Sequence, residues 1–216
     1  MLFRSRLRSA AAVRKNLVEG LRYVARTPVI ALCVFTIGTV SGVAMNFNVV
    51  IPALARGVLD IGASGLGFLM AAVGLGSLCG ALFAAAQRRP QIVLVVLGGG
   101  ILGLLTALAG VASGSGTAWS IGATGVALFG AGFGAISMAA TANASIQTAT
   151  PAALRGRVMS VYTTVFAGST PIGALVTGAV TSLIGAPLTL IAAGSLGVTA
   201  ALFAFVRWRA LFLSRG

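Results

Sequence analysis

The sequence predicts an all-α integral membrane protein with six transmembrane helices. Hydrophobic residues make up 58% of its 216 residues and charged residues only 8%, whereas a soluble domain carries about 25% charge. The mean hydropathy is +1.05. A water-soluble fold of this size would lack the polar residues that cover a folded surface. Soluble enzymes and nucleic-acid-binding modules are therefore disfavoured, although the formal net charge is +13.

Charged residues divide the chain into long uncharged runs that set the number of spans. A charge at the bilayer centre costs at least about 2.5–3.5 kcal/mol, and a spanning helix needs about 20 apolar residues. The first two runs hold one helix each, and the two longer runs must turn back at residues 113–117 and 185–187. The predicted spans are 29–54, 64–86, 91–112, 118–147, 158–184 and 187–206.

The basic residues indicate the orientation of these spans. Fourteen of the 15 Lys and Arg residues fall on one side, and Arg56, beside Asp60, is the exception. The positive-inside rule places that side in the cytoplasm. We therefore expect a multi-pass protein of the cell membrane with both termini cytoplasmic. Its predicted parts are a basic segment over 1–28, a transmembrane domain over 29–206 and a tail over 207–216.

The basic segment contains one stretch with helical periodicity. Val13, Leu17, Leu21 and Val24 lie on one face of a helix over 13–26. This pattern is typical of a short helix on the inner membrane surface. A solvated linker is the alternative that the sequence leaves open.

The residue types that most enzymes and metal sites need are scarce. The chain has no histidine, and its two acidic residues, Glu19 and Asp60, lie outside the predicted spans. Histidine-based acid–base catalysis and an intramembrane carboxylate relay are therefore unavailable. The phosphate-binding motif GxxxxGK[ST] does not occur. We expect no enzymatic activity, no metal and no cofactor.

Glycines recur at the spacing of helix contacts. Such pairs let two helix backbones approach closely in lipid, so we expect them at helix interfaces rather than in a ligand site. The pairs are Gly76/Gly80, Gly99/Gly103 and Gly130/Gly134.

Polar side chains within the spans are the candidate substrate contacts. An amide in hydrocarbon needs a partner, so it faces another helix or a watery cavity. The sequence leaves open whether these amides join helices or line a cavity to which neighbouring apolar residues also contribute. The candidates are Asn46 and Asn48 with Met45 and Phe47 in the first span, and Asn143 and Gln147 in the fourth.

Two prolines mark candidate hinges. Pro52 lies late in the first span, and Pro171 lies midway through the fifth, between Gly168 and Gly173. Proline kinks a helix and frees a backbone carbonyl, and such breaks suit helices that bend during transport.

The six spans divide into two triplets of opposite topology, 29–112 and 118–206. The tripeptide Gly-Ala-Leu occurs at 80–82 and at 173–175, in the second helix of each triplet and at an offset of 93 residues. This arrangement predicts a three-plus-three inverted repeat.

Longer segments resemble one transporter family. Residues 151–166, PAALRGRVMSVYTTVF, running on to TPIG at 170–173, are similar to the loop between helices 10 and 11, and to helix 11, of major facilitator superfamily transporters. The enterobactin-exporter and macrolide-efflux-like branch is the most similar. Residues 45–52, MNFNVVIP, resemble helix 7 of that branch, and residues 20–28, GLRYVARTP, resemble the basic central loop before it.

The resemblance implies roles for the loop arginines. Arg155 and Arg157 would belong to a cytoplasmic gate. Gly80, Arg88 and Arg89 fall where the family carries a Gly…Asp…Gly-Arg-Arg signature, and the acid of that signature is missing here.

The family has about twelve helices in two halves, and this chain corresponds to the second half. The resemblance therefore implies half of a major facilitator fold, with the substrate site between the halves. The implied partner is an N-terminal half on the same or a separate chain, or a second copy. The implied function is efflux of small amphipathic molecules by alternating access. The alternative is a non-transporting assembly or regulatory partner, or an inactive fragment. The bilayer and a small-molecule substrate are expected partners, and nucleic acid is not.

Overall fold

The computed structural model describes residues 10–87, 89–115 and 119–213, and these residues form helices joined by short connections. The side chains of 10–16 and 211–213 are outside the description. The helices are α1 Ala10–Arg26, α2 Pro28–Ala44, α3 Phe47–Gly57, α4 Gly62–Ala86, α5 Ile92–Gly114, α6 Ser120–Ala149, α7 Ala152–Ile184 and α8 Ala186–Leu213.

The prediction of six spans is confirmed for the described residues. Six helical segments are long and apolar enough to cross a membrane, and α2 and α3 together form the first of them, over Pro28–Gly57. Gly185 of the second predicted turn lies between α7 and α8, and residues 113 and 114 of the first predicted turn form the end of α5. At the second turn Gly185 has a φ of +82°, a left-handed conformation that glycine adopts without strain. Residues 116 and 117 of the first turn lie outside the described part of the chain.

The first, fifth and sixth spans differ from the prediction, the sixth because α8 continues past 206 to Leu213, into the predicted tail. The first span is interrupted at Met45 and Asn46, six residues before Pro52, and Pro52 lies inside α3. α7 begins at Ala152 rather than at 158, so Arg155 and Arg157 lie in its first turns rather than in a loop. Arginines at a helix end extend toward the membrane surface, so charge alone misplaces such an end.

Glycines bring the central helices into backbone contact, as predicted. A Cβ atom at Gly76 would lie 1.8 Å from the carbonyl oxygen of Phe129 on α6. One at Gly103 would lie 2.6 Å from the backbone nitrogen of Val198 on α8. One at Gly134 would lie 2.7 Å from the carbonyl oxygen of Gly98 on α5. These distances exclude a side chain, so the glycines are packing residues.

The packing follows the predicted repeat. α4 packs against α6, and its counterpart α7 packs against α2, while the third helices of the triplets, α5 and α8, pack against each other. The two glycines of the shared tripeptide make equivalent contacts. A Cβ at Gly80 would lie 2.5 Å from the Phe133 carbonyl of α6, and one at Gly173 would lie 2.0 Å from the Gly42 carbonyl of α2.

Candidate transport site and arginine-rich end

The break between α2 and α3 contains one of the predicted cavity residues. The buried Asn46 side chain donates a hydrogen bond from Nδ2 to the carbonyl oxygen of Gly42 over 2.8 Å. Gly173 of α7 lies against this joint, because a Cβ there would be 2.7 Å from Asn46 Nδ2. Asn46 therefore satisfies the backbone at the end of α2, and α7 covers it.

The other predicted residues around this break separate into two environments. Phe47 is buried in the hydrophobic core, and Met45 is half-buried against it. Asn48 is exposed. Pro52 has no N–H and so cannot donate a helical hydrogen bond to the carbonyl of Asn48. Asn48 thus presents an amide side chain and a freed carbonyl on an exposed strip of α3.

α7 is the least buried of the six spans. Only 11% of its most apolar stretch is buried, against 56% for α6. The polar residues on its exposed side, which we call the open face of α7, are Ser160, Thr163, Thr164 and Thr170. α7 is also the least apolar span. The exposed large apolar residues of α7, Ile172, Leu175, Val176, Leu183 and Ile184, all follow Pro171, so the hydroxyls of the open face are concentrated before that proline.

The two glycines predicted as hinges have different surroundings. Gly168 is exposed, and a Cβ there would meet nothing within 4 Å. Gly173 is buried against α2. Between them, Pro171 is exposed and cannot donate to the carbonyl of Ala167, which is exposed as well. The open face therefore has a second freed carbonyl.

An aromatic pair joins α7 to α6. The buried Tyr162 donates a hydrogen bond from its hydroxyl to the Ala139 carbonyl over 3.2 Å. Its ring stacks on Phe166, with ring centroids 6.1 Å apart. Sequence reasoning missed this pair. The signal that could have found it is the presence of two aromatic residues one helical turn apart in the most polar span.

The predicted amides of α6 lie close to this pair along the helix. Asn143 is one turn from Ala139, and the Gln147 amide donates a hydrogen bond to the Asn143 side-chain oxygen one turn further. Asn143 is half-buried and Gln147 is exposed. The structure thus separates the six predicted cavity residues into a group at the α2–α3 break and a group at the end of α6.

One end of the helix bundle carries most of the basic residues, and we call it the arginine-rich end. There α1 is attached to α7. Arg157 forms an ion pair with Glu19 of α1. A Cβ at Gly20 would lie 2.6 Å from the Arg157 carbonyl, so the two helices also touch through their backbones. Glu19 was not among the predicted site residues. It supplies α7 with an acidic partner from outside the spans.

The predicted gate arginines are not all brought together. Arg155 is exposed on the first turn of α7. Arg89 is exposed in the connection between α4 and α5, which both pack against α6. Arg88 lies outside the described residues.

The exposed groups are hydroxyls, amides and freed carbonyls, and the Phe166 ring is half-buried. Among the described residues no group of three or more His, Cys, Asp or Glu side chains could hold a metal ion. Such a surface can hydrogen-bond and stack against an uncharged or amphipathic molecule.

Comparison with known proteins identifies the family. No curated protein and no solved structure matches the chain. A family described as transmembrane secretion effector matches over residues 4–211. With its six apolar helices, the chain therefore belongs to the transmembrane secretion effector family, which is of the major facilitator transporter type, and is a multi-pass membrane protein.

Proposed function

We propose that the chain is one half of an exporter that moves small amphipathic organic molecules across the cell membrane by alternating access. The observation that carries this proposal is the open face of α7. Ser160 and Thr170 donate hydrogen bonds to carbonyls of α7 itself. Hydroxyl oxygens on a spanning helix still gain nothing from contact with lipid tails, so this face favours a partner helix or water. A second six-helix half over this face would enclose them.

The second half is an N-terminal half, on the same or a separate chain, or a second copy of this chain. Its docking would place the open face, Asn48 and the Tyr162–Phe166 pair at the boundary between two halves. Sites between repeats near the midplane are the usual arrangement in such transporters.

The lining favours amphipathic cargo. The half-buried Phe166 offers part of an aromatic ring, which the buried Tyr162 supports from behind, and Asn48, Asn143 and Gln147 offer amides for hydrogen bonds. The spans contain no carboxylate, so coupling to protons would depend on acidic residues of the second half.

The gate role extends the same proposal. With the arginine-rich end in the cytoplasm, the Glu19–Arg157 pair would lie at the cytoplasmic entrance. Arg155 and the pair Arg88/Arg89 would carry the remaining positive charge around that entrance.

Cysteine accessibility tests whether the open face lines a watery cavity. Thr164→Cys introduces a thiol on the open face. Leu196→Cys introduces a thiol at an exposed position of α8, and both positions lie near the middle of their spans. Both are made with the exposed Cys79 replaced by Ser, and buried Cys33 is kept. Membranes of the source cell are treated with a charged, water-soluble maleimide in the presence or absence of an amphipathic fluorescent dye.

We expect the thiol at 164 to react, the dye to slow that reaction, and the thiol at 196 to remain unreacted. Equal labelling of the two thiols, or labelling at 164 that no transported dye affects, would contradict the proposal. The second result would favour a non-transporting partner protein. Detection with an antibody to residues 212–216 also gives the mass of the native polypeptide, and cross-linking at 164 separates a self-dimer from a distinct second half.

A further inference from the structure

A groove lies at the arginine-rich end, between the α1–α2 junction and α8. It has a volume of about 290 Å³ and is lined by apolar residues with one cation, Arg207. That volume is near the lower end of the roughly 300–1,000 Å³ typical of ligand sites. No residue of α7 lines the groove, and the proposed transport function does not use it.

The groove changes character with depth. Arg207 lines its rim on α8, and Pro28, the first residue of α2, lies at the same end. Leu32 is four residues into α2 and Phe203 four residues before Arg207, so each lies about 6 Å deeper along its helix. The Phe203 ring contacts Phe35, with centroids 5.5 Å apart. Arg207 therefore lies one helical turn from the aromatic and aliphatic side chains that line the deeper part of the groove.

The chain offers Arg207 no matching carboxylate side chain. Its only acidic residues are Glu19 and Asp60. Glu19 is paired with Arg157, and Asp60 lies between α3 and α4 at the other end of the first span. Arg26, next to the lining residue Ala25, adds a second exposed cation near the rim. An external anion can therefore pair with Arg207 without competing with a carboxylate side chain of the protein.

We propose that this groove binds one anionic glycerophospholipid, with its phosphate at Arg207 and an acyl chain along Leu32, Phe35 and Phe203. The lipid is the occupant that matches both parts of the groove. Its negative headgroup lies at the membrane surface, and its chain begins directly below it. Basic pockets between spanning helices are a recognised form of lipid headgroup binding.

Lipid retention on the purified full chain tests the proposal without any transport assay. The protein in detergent is loaded with equal amounts of phosphatidylglycerol and phosphatidylcholine, washed, and analysed by native mass spectrometry. We expect one phosphatidylglycerol to be retained in preference. Arg207→Gln should lower that preference about fivefold, the effect of one basic residue near an anionic membrane surface, and Arg207→Lys should retain most of it.

Arg209→Gln is the matched control, because Arg209 is an exposed arginine of the same helix that does not line the groove. It should leave the retained lipid unchanged. Ala31→Trp fills the groove wall and should reduce retention of both lipids, and a melting curve for each variant reports folding. An unchanged preference in Arg207→Gln, or an equal loss in Arg209→Gln, would overturn the site. Retention of glycerol 3-phosphate as strong as that of the lipid would show an anion site without a chain, and would overturn the proposal as well.

Discussion

Replacing Gly173 by alanine tests the contact between α7 and the break in the first span. A Cβ at this position would lie 2.0 Å from the Gly42 carbonyl oxygen, and ordinary contact begins at 3.4 Å. The helices must therefore separate by about 1.4 Å, the difference between those two distances. The clash also involves Asn46 Nδ2, which donates to that same carbonyl. Inserting a methyl group into a tight contact costs about 1–3 kcal/mol.

Gly168→Ala is the matched control on the same helix. Its Cβ would meet nothing within 4 Å, and alanine favours the helix by roughly 0.5–1 kcal/mol over glycine. For a chain of this size, 1 kcal/mol shifts the melting midpoint by about 2–4 °C. Both variants gain this helix preference, and only Gly173→Ala adds the clash. We therefore expect Gly173→Ala to melt about 2–12 °C below Gly168→Ala in detergent, and Gly168→Ala to melt at or slightly above the midpoint of the parent protein. If the two variants melt alike, the seam between α7 and α2 is not packed as described.

Three further predictions concern the candidate site. Asn46→Leu should lower membrane abundance, because it removes a buried hydrogen bond worth about 0.5–1.5 kcal/mol. Asn48→Leu should instead lower dye efflux at unchanged abundance. Immunoblots of the membranes, with efflux measured on the same cells, distinguish loss of protein from loss of transport. Arg157→Glu should expose α1 to limited proteolysis, and adding Glu19→Arg should restore protection. Because the two side chains are 41% and 33% exposed, their ion pair contributes less than about 1 kcal/mol. Absence of rescue in the double variant would contradict direct pairing. Tyr162→Phe keeps the stacking on Phe166 and should lower the melting midpoint by a few degrees with efflux retained. Phe166→Leu, at the half-buried ring of the pair, should change the relative efflux of aromatic and aliphatic dyes, and equal changes for both dye classes would contradict a role of that ring in binding.

The number of spans follows from the sequence because charges are costly in a bilayer and few in this chain. Applied to α7, the same argument predicts a start six residues too late, since Arg155 and Arg157 lie inside a helix whose end reaches the membrane surface. The glycine pairs could be assigned to interfaces, because no other residue allows such close backbone contact. The residues that each glycine contacts could not be predicted, because they depend on which helices are neighbours.

The break at Met45–Asn46 could not be predicted from local sequence. Pro52 was the visible helix breaker, yet the helix is interrupted six residues earlier, where Gly173 of a distant helix packs. In the same way, the amphipathic pattern of α1 suggested a helix, but Leu17 and Leu21 of its apolar face are exposed while Gly20 and Val24 pack inward. Gly20 approaches the Arg157 carbonyl closely, so the face of α1 that carries Gly20 is the one buried against α7.

The attachment of α1 to α7 has a mechanical consequence. Small residues dominate the contacts of α7 with α2: Gly38 meets Val165, and Gly42 meets Ser169 and Gly173. Such a smooth seam has few interlocking side chains, so it resists sliding along the helix axis less than a core of large residues does. α1 holds α7 at one end through an ion pair and a backbone contact. We therefore expect α1 to restrain sliding of α7 along its axis, so that whatever holds α1 also positions that helix.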